Sequence, residues 1–240
     1  MEFFRTAGLM ARNVSTEVVR HFDRKRLLVN QLKAQHVNVV FDVGANWGQF
    51  GTALRRAGYK GRIVSFEPLS EPFAHLKKKS AADALWDCQQ LALGDTEKKI
   101  AINIAGNAGA SSSVLPMLKS HQEAFPPANY IGTEDVLMRR LDSVAAEVLN
   151  PTDVAFLKVD VQGFEKHVIE GGMSTINDRC AGMQLELSFL PLYDGDMLIQ
   201  EALELVYSLG FRLTGLLPGF SDPRNGRMLQ ADGIFFRGDD

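Results

Sequence analysis

From Val37 onward, short runs of almost unbroken apolar residues alternate with stretches in which apolar residues recur every three or four positions. The runs predict buried strands, and the spaced pattern predicts helices with one face on a core. Strands are expected over 37–43, 62–67, 86–93, 154–161 and 181–187. A helix is expected over 49–57, closed by Gly58, and another from Ser70, which is placed to cap a helix that tolerates Pro72 in its first turn. Two more are expected over 163–170, stopped by Gly171-Gly172, and over 196–209, where Leu198, Ala202, Leu205 and Leu209 share a face and Gly210 ends it. Strands separated by helices imply parallel pairing with right-handed crossovers. The last two strands, 211–217 and 228–237, are joined only by the turn-rich PGFSDPRNGR and are expected to pair antiparallel at one edge. The fold class is therefore α/β: a mostly parallel sheet with a reversed strand at one edge and helices on both faces.

Two segments depart from this rhythm. In residues 94–153, Ile100, Ile102 and Ile104 alternate with smaller or polar residues, which fits an extra strand with one buried face. The loop GNAGASSSVLP and the pair Pro126-Pro127 follow, then a strand over 136–141 with Asp142 capping a short helix. An elaboration of this length between core strands suits an inserted substrate cover. In residues 1–36, Phe3, Ala7, Met10, Val14, Val18 and Phe22 recur at the spacing of one helix face. This segment carries seven Lys and Arg against three Asp and Glu, which leaves −7 for the remainder. It reads as an amphipathic helix packed on the domain, or as a lid or membrane-surface contact, because basic amphipathic helices rest on anionic lipid. The expected organisation is that N-terminal segment followed by one domain over 37–240.

A chain of 240 residues fills one α/β core and leaves little room for a second. Its net charge of −3 argues against a nucleic-acid substrate, which normally meets a basic face. No apolar run approaches the ~18 residues of a spanning helix. The N-terminus lacks the apolar core and cleavage site of a signal peptide, so a cytoplasmic location is expected. Cys88 and Cys180 lie far apart without CxxC spacing and read as two buried thiols in a reducing compartment.

Candidate chemistry begins in VVFDVGANWGQF, where an apolar strand passes through two glycines into a helix. In open parallel sheets, ligands bind at the carboxyl ends of the strands. Gly44 and Gly48 would let the backbone approach a ligand closely. A dinucleotide fingerprint starting at Gly44 calls for glycine at 46 and a small residue at 49, but Asn46 and Gln49 stand there. The loop suits a ligand without phosphates, whose amino-acid portion takes hydrogen bonds from Asp42 and the loop backbone. Glu67, closing the second strand, can accept hydrogen bonds from both hydroxyls of a ribose. NAD and S-adenosylmethionine share that ribose, and the glycine pattern favours S-adenosylmethionine. The alternatives are an NAD(P)-dependent oxidoreductase and a non-catalytic S-adenosylmethionine-binding module.

FDVGANWGQF, VSFEP, LALGD, RRLDSV and above all FLKVDVQGFEKHVIEGG resemble the FkbM family of S-adenosylmethionine-dependent methyltransferases. The tail, LPLYDGD followed by GFRLTGLLPGFSDPRNGRMLQADGIFFR, shares that character, so the likeness covers roughly residues 37 to 237. The resemblance implies the class I methyltransferase (Rossmann-like) fold, a seven-stranded sheet with its last strand reversed. It also implies O-methylation of hydroxyls on sugars, glycolipids or polyketides. Carried onto this chain, it puts Asp42, Gly44, Asn46 and Gly48 around the methionine half of the cofactor and Glu67 on the ribose, with Pro68 starting the turn beyond. Leu91 and Ala92 would lie beside the adenine, or serve only as strand core, and Asp160 would end the fourth strand near the sulfonium. Many relatives have glutamate two residues after that aspartate, whereas this chain has Gln162, so a carboxylate role there is closed to it.

Methyl transfer to oxygen asks for a hydroxyl held in line with the methyl–sulfur bond, in a site closed to water. A base that takes the hydroxyl proton as the bond forms would help, and Asp160 and Glu186 are the candidates by position. Glu186 reads equally as a holder of a backbone amide or cofactor group. His167 reads as a packing or solvent-facing residue, and His121 as a substrate contact if the insertion is a lid. Ser111, Ser112 and Ser113 read as loop or as hydrogen-bond partners of ligand hydroxyls. Asp160, Glu186 and Asp232 could converge on Mg²⁺, but no local motif demands it and no metal is expected. The expected partner is a small-molecule, glycan or glycolipid acceptor.

Overall fold

The computed structural model describes residues 25–238, so the apolar face from Phe3 to Phe22 lies outside the described residues. A helix, α1, covers residues 25–34. The elements that follow are β1 (Val39–Val43), α2 (Gln49–Arg56), β2 (Arg62–Phe66), α3 (Ser70–Ser80), β3 (Trp86–Gln89) and β4 (Ala92–Leu93). Next come β5 (Lys98–Ala105), α4 (Lys119–Ala124), β6 (Tyr130–Arg139), α5 (Leu141–Val148) and β7 (Ala155–Val159). The chain then forms α6 (Glu165–Glu170), α7 (Met173–Arg179), β8 (Cys180–Ser188), α8 (Ile199–Ser208), β9 (Phe211–Pro218) and β10 (Gln230–Arg237).

Seven strands make the main sheet in the order β3-β2-β1-β7-β8-β10-β9. The first five are parallel, and β10 runs antiparallel to both β8 and β9, so the reversal falls at the expected edge. Helices α1, α2 and α3 bury Leu28, Leu32, Leu54 and Leu76 against Val40, Ile63 and Phe156 on one face. Helices α5 to α8 bury Leu141, Val168, Ile176 and Val206 against Phe41, Leu157 and Leu185 on the other. Strand order reverses between β1 and β7, and the loops that leave these two strands border a cleft there.

The insertion forms a second sheet, β4-β6-β5, whose apolar face packs on Leu69 and Phe164. The run 86–93, expected as one strand, therefore divides: β3 stays in the main sheet while β4 pairs with β6. Two caps also differ from expectation. Ser70 is the first residue of α3 rather than its cap, and its N–H and hydroxyl both donate to the carboxylate of Glu134 on β6. Asp142 sits in the first turn of α5 and caps α7 instead, accepting the Thr175 N–H at 2.8 Å and the Ser174 N–H at 3.3 Å. Both helix ends are satisfied across the fold, which local sequence does not reveal. Helix α7 itself, just after Gly171-Gly172, is an element the periodicity does not announce.

Candidate active site

The polypeptide after β1 turns through Gly44 in a left-handed conformation, φ +71°. A side chain at Gly44 would run into the carbonyl oxygen of Asp160, so glycine is required where the loops after β1 and β7 meet. Gly44 and Ala45 both donate their N–H to the Phe66 carbonyl, which ties the turn to β2. Asn46 is also left-handed, φ +47°, and its Oδ1 accepts the Trp47 N–H at 2.8 Å. Its own N–H points the other way, to Glu67 Oε2 at 2.8 Å.

Glu67 is 5% exposed, and its second oxygen, Oε1, accepts the Leu69 N–H at 3.0 Å. Burial raises its pKa to about 7, against the lowering effect of these two backbone hydrogen bonds. Each oxygen holds one backbone donor and keeps acceptor capacity toward a cavity of about 360 Å³. Gly44, Asn46, Glu67, Pro68, Leu91, Ala92 and Asp160 all border this cavity. Ile102, Val114 and Phe164 add an apolar wall beside Leu91 and Ala92, so the insertion helps enclose the cleft.

Asp42 and Gly48, expected at the ligand, do not border the cavity. Asp42 is fully buried and, two residues from Val40, shares the face of β1 that packs on α1 and α2. It accepts the Ser65 hydroxyl at 3.1 Å and meets Lys158 Nζ at 3.3 Å, so its charge is neutralised inside the sheet. Gly48 caps α2 at φ +77°, and a side chain there would press on Leu76 and Trp86. Its absent side chain serves packing.

Lys158 is the site residue that motif reading missed. Burial alone would lower its pKa, but Asp160 and Asp42 outweigh this and push it up to about 12. Its ammonium also donates to the Val43 and Gly44 carbonyls at 3.1 and 2.8 Å, anchoring the loop from beneath. The visible signal was a lysine inside the otherwise apolar strand AFLKV.

A second cavity, of about 230 Å³, lies beyond Gln162 and is bordered by Glu186, His121, Phe125, Phe220 and Gln230. Gln162 borders both cavities. Its Nε2 donates to Asp160 at 2.9 Å and to Glu186 Oε2 at 2.8 Å, and its Oε1 accepts the Tyr193 hydroxyl at 2.7 Å. The two carboxylates singled out as bases are thus joined by one amide, with Asp160 in the first cavity and Glu186 in the second. Burial and the nearby negative charges of Asp160, Glu165 and Asp232 raise the Glu186 pKa well above the usual carboxylate value.

His121 also borders the second cavity, packed between the rings of Tyr193 and Phe220. Burial lowers its pKa to about 4, which keeps it neutral near pH 7. His167 stacks on Phe164 and meets Asp95 at 3.1 Å, away from both cavities. Ser113 donates to the Gln162 carbonyl and Ser112 accepts the Ala105 N–H, so both stiffen the wall. Asp160, Glu186 and Asp232 do not bring oxygens to a common point; among the described residues only Asp95, His167 and Glu170 form such a half-exposed group.

The reversed-strand sheet, together with a switch-point cleft offering a glycine turn and a buried carboxylate, defines the class I methyltransferase fold. The model of the methyltransferase FkbM domain matches residues 42–213, and the chain belongs to that family. It is a methyltransferase of FkbM type, and the nicotinamide alternative falls with that membership. The 2-O-methyltransferase NoeI of Sinorhizobium fredii is 25% identical over 186 residues, covering 75% of this chain and 74% of its own. Methyltransferase 1 of Beauveria bassiana is 27% identical over 142 residues, covering 55% of this chain and 57% of its own. The solved methyltransferase FkbM from Methylobacillus flagellatus KT aligns at 12% identity with a TM-score of 0.47. That alignment takes in 82% of this chain and 43% of the other.

Proposed function

We propose that the chain is an S-adenosylmethionine-dependent O-methyltransferase whose acceptor is a sugar hydroxyl of a glycolipid, polysaccharide or glycosylated natural product. The observation that carries this reading is Glu67, a buried carboxylate facing the cleft with one acceptor site left on each oxygen. Such a group suits the two hydroxyls of a ribose. The apolar wall of Leu91, Ala92 and Phe164 suits a flat base beside it, and the Gly44 turn leaves room for the amino-acid end. When bound, S-adenosylmethionine supplies a methyl group already activated by the positive sulfur.

The chain's own part is to hold the hydroxyl and take its proton. The second cavity offers Phe125 and Phe220 as flat apolar faces and Asn107, Ser111 and Gln230 as polar groups, a mixture that suits a saccharide ring. Glu186 Oε2 is occupied by the amides of Gln162 and Gln230, at 2.8 and 2.7 Å. Among the described residues no donor reaches Oε1, which leaves it available to a hydroxyl. A raised pKa makes Glu186 a better proton acceptor than an exposed carboxylate, and its ionised form is the active one. Asp160 orients Gln162 and thereby Glu186. The oxygen-directed activity named for the Sinorhizobium fredii relative supports the same choice of atom.

The test is transfer of isotope-labelled methyl from S-adenosylmethionine to a panel of mono- and oligosaccharides, followed by hydrolysis of the product in base. A label that survives as a base-stable methyl ether on the sugar is expected. Label found only as a base-labile ester or on nitrogen would overturn the assignment.

A further inference from the structure

Two lysines and three aspartates gather at the amino-acid end of the cleft: Lys25, Lys158, Asp160 and Asp232 border the cavity, and Asp42 lies buried beneath it. Three of the five are already committed. Lys158 meets Asp42 at 3.3 Å and Asp160 at 3.6 Å and donates to two loop carbonyls. Asp42 is sealed beneath the loop, and Asp160 also accepts the Gln162 amide. Two charges of opposite sign remain, and both border the cavity.

Lys25, on α1, is 9% exposed. Its ammonium lies over the Phe50 ring, 4.4 Å from the centroid, and it forms no ion pair among the described residues. Burial lowers its pKa, with Lys158 adding to this, and the raising effect of Asp232, Asp42 and Asp160 does not offset it, so its charge is held at a cost that an anion in the cavity would relieve. Asp232, on β10, feels Lys25 electrostatically without forming an ion pair with it. Beside it Gln184, 3% exposed, borders the same cavity and leaves Oε1 without a partner. Among the described residues, a cation and a carboxylate that border one cavity without forming an ion pair, the carboxylate held by the Gln184 side chain, match a ligand that carries both charges itself.

We propose that α1 completes the cofactor site, with Lys25 taking the carboxylate and Asp232 the ammonium of an α-amino acid group at that end of the bound molecule. This rests on the S-adenosylmethionine reading above and adds to it the recognition of the zwitterion and a function for the helix that precedes the domain. Sequence pattern gives no hint of it, because Lys25 sits among other basic residues, Arg24 and Arg26, with nothing to single it out.

The test uses the full chain and two ligands in calorimetric titration. S-adenosylhomocysteine carries the amino acid group, and 5′-methylthioadenosine shares the nucleoside and sulfur but lacks it. Lys25→Met and Asp232→Asn are each expected to weaken S-adenosylhomocysteine about tenfold or more, the scale of one charge-assisted contact, while leaving methylthioadenosine within about twofold. Lys25→Arg is expected to restore most of the loss. Retained methylthioadenosine binding also shows that each variant is folded. Unchanged affinity for S-adenosylhomocysteine, or an equal loss for both ligands, would overturn the assignment of Lys25 and Asp232. Wild-type protein that binds methylthioadenosine no more weakly than S-adenosylhomocysteine would overturn zwitterion recognition as such. If the wild type binds neither ligand, the underlying cofactor reading fails first.

Discussion

Gln162 holds a left-handed backbone conformation, φ +57°, which residues with side chains adopt rarely, and Gly163 after it lies at φ +94°. The strained turn carries its amide between Asp160 and Glu186, where a third carboxylate would add repulsion to a pair already crowded. Gln162 is thus a neutral bridge whose single amide nitrogen serves two oxygens. Replacing Glu186 by Gln keeps the shape and removes the proposed proton acceptor. Methyl transfer by Glu186→Gln should fall by about 10²–10⁴-fold, with S-adenosylhomocysteine affinity little changed. In the wild type, activity should climb with pH through the raised Glu186 pKa, because only the ionised form accepts a proton. A pH–rate profile of kcat checks this; a rate independent of Glu186 would show that another group, or solvent, takes the proton.

Each core strand carries one polar residue at matching register: Ser65 on β2, Asp42 on β1, Lys158 on β7 and Gln184 on β8. Trp86 on β3 extends the row, donating its indole N–H to Ser65 at 3.0 Å. The row crosses the sheet just below its carboxyl ends and supports the loops that line the cleft. It was visible in the sequence as a polar letter breaking the apolar run of VVFDV, RIVSF, AFLKV and CAGMQLELS. What the strands could not tell was which of these residues would meet a ligand and which would meet each other, since that depends on register between strands. The sequence alone puts Asp42 at the ligand and gives no sign that Lys158 is its partner. Lys158→Met would leave Asp42 buried without its counter-charge. It should cost about 3–5 kcal/mol of stability, the usual penalty for breaking a buried pair, as measured by denaturant unfolding. A loss below about 1 kcal/mol would mean that the row is not an electrostatic unit.

At the scale of the molecule, strand and helix order was legible because buried parallel strands and amphipathic helices leave strong periodic signals. The insertion was legible only as a break in rhythm. Its second sheet depends on β4 changing partners after Gln89, and Glu134 and Asp142 act as caps through contacts formed only on folding. The cleft's main carboxylate was legible from its place at the end of β2, whereas the cavity beyond Gln162 depends on side chains from four distant segments. Folding leaves acids buried beside this cleft and in the turn after β7. Glu67 and Glu165 both have their pKa raised to about 7 by burial. A raised carboxyl favours the fold while it is protonated, so this contribution is complete below about 4.5 and is lost as pH rises toward 7. Without ligand, the melting temperature should therefore fall between about pH 5 and pH 7. Glu165→Gln, which keeps the acceptor for the Val161 and Gly163 N–H groups, should flatten that decline. A melting temperature that rises across the interval, with no difference in the variant, would contradict this.

The most direct measurement is calorimetric titration of S-adenosylhomocysteine into the wild-type protein and Glu67→Ala. Saturable one-site binding to the wild type is expected. In the variant, loss of the buried carboxylate should weaken binding by about 2 kcal/mol or more, roughly thirtyfold, while the protein stays folded. Wild-type protein that gives no binding heat across temperatures and shows no thermal shift with S-adenosylhomocysteine, or a folded Glu67→Ala that binds as tightly as wild type, would contradict it.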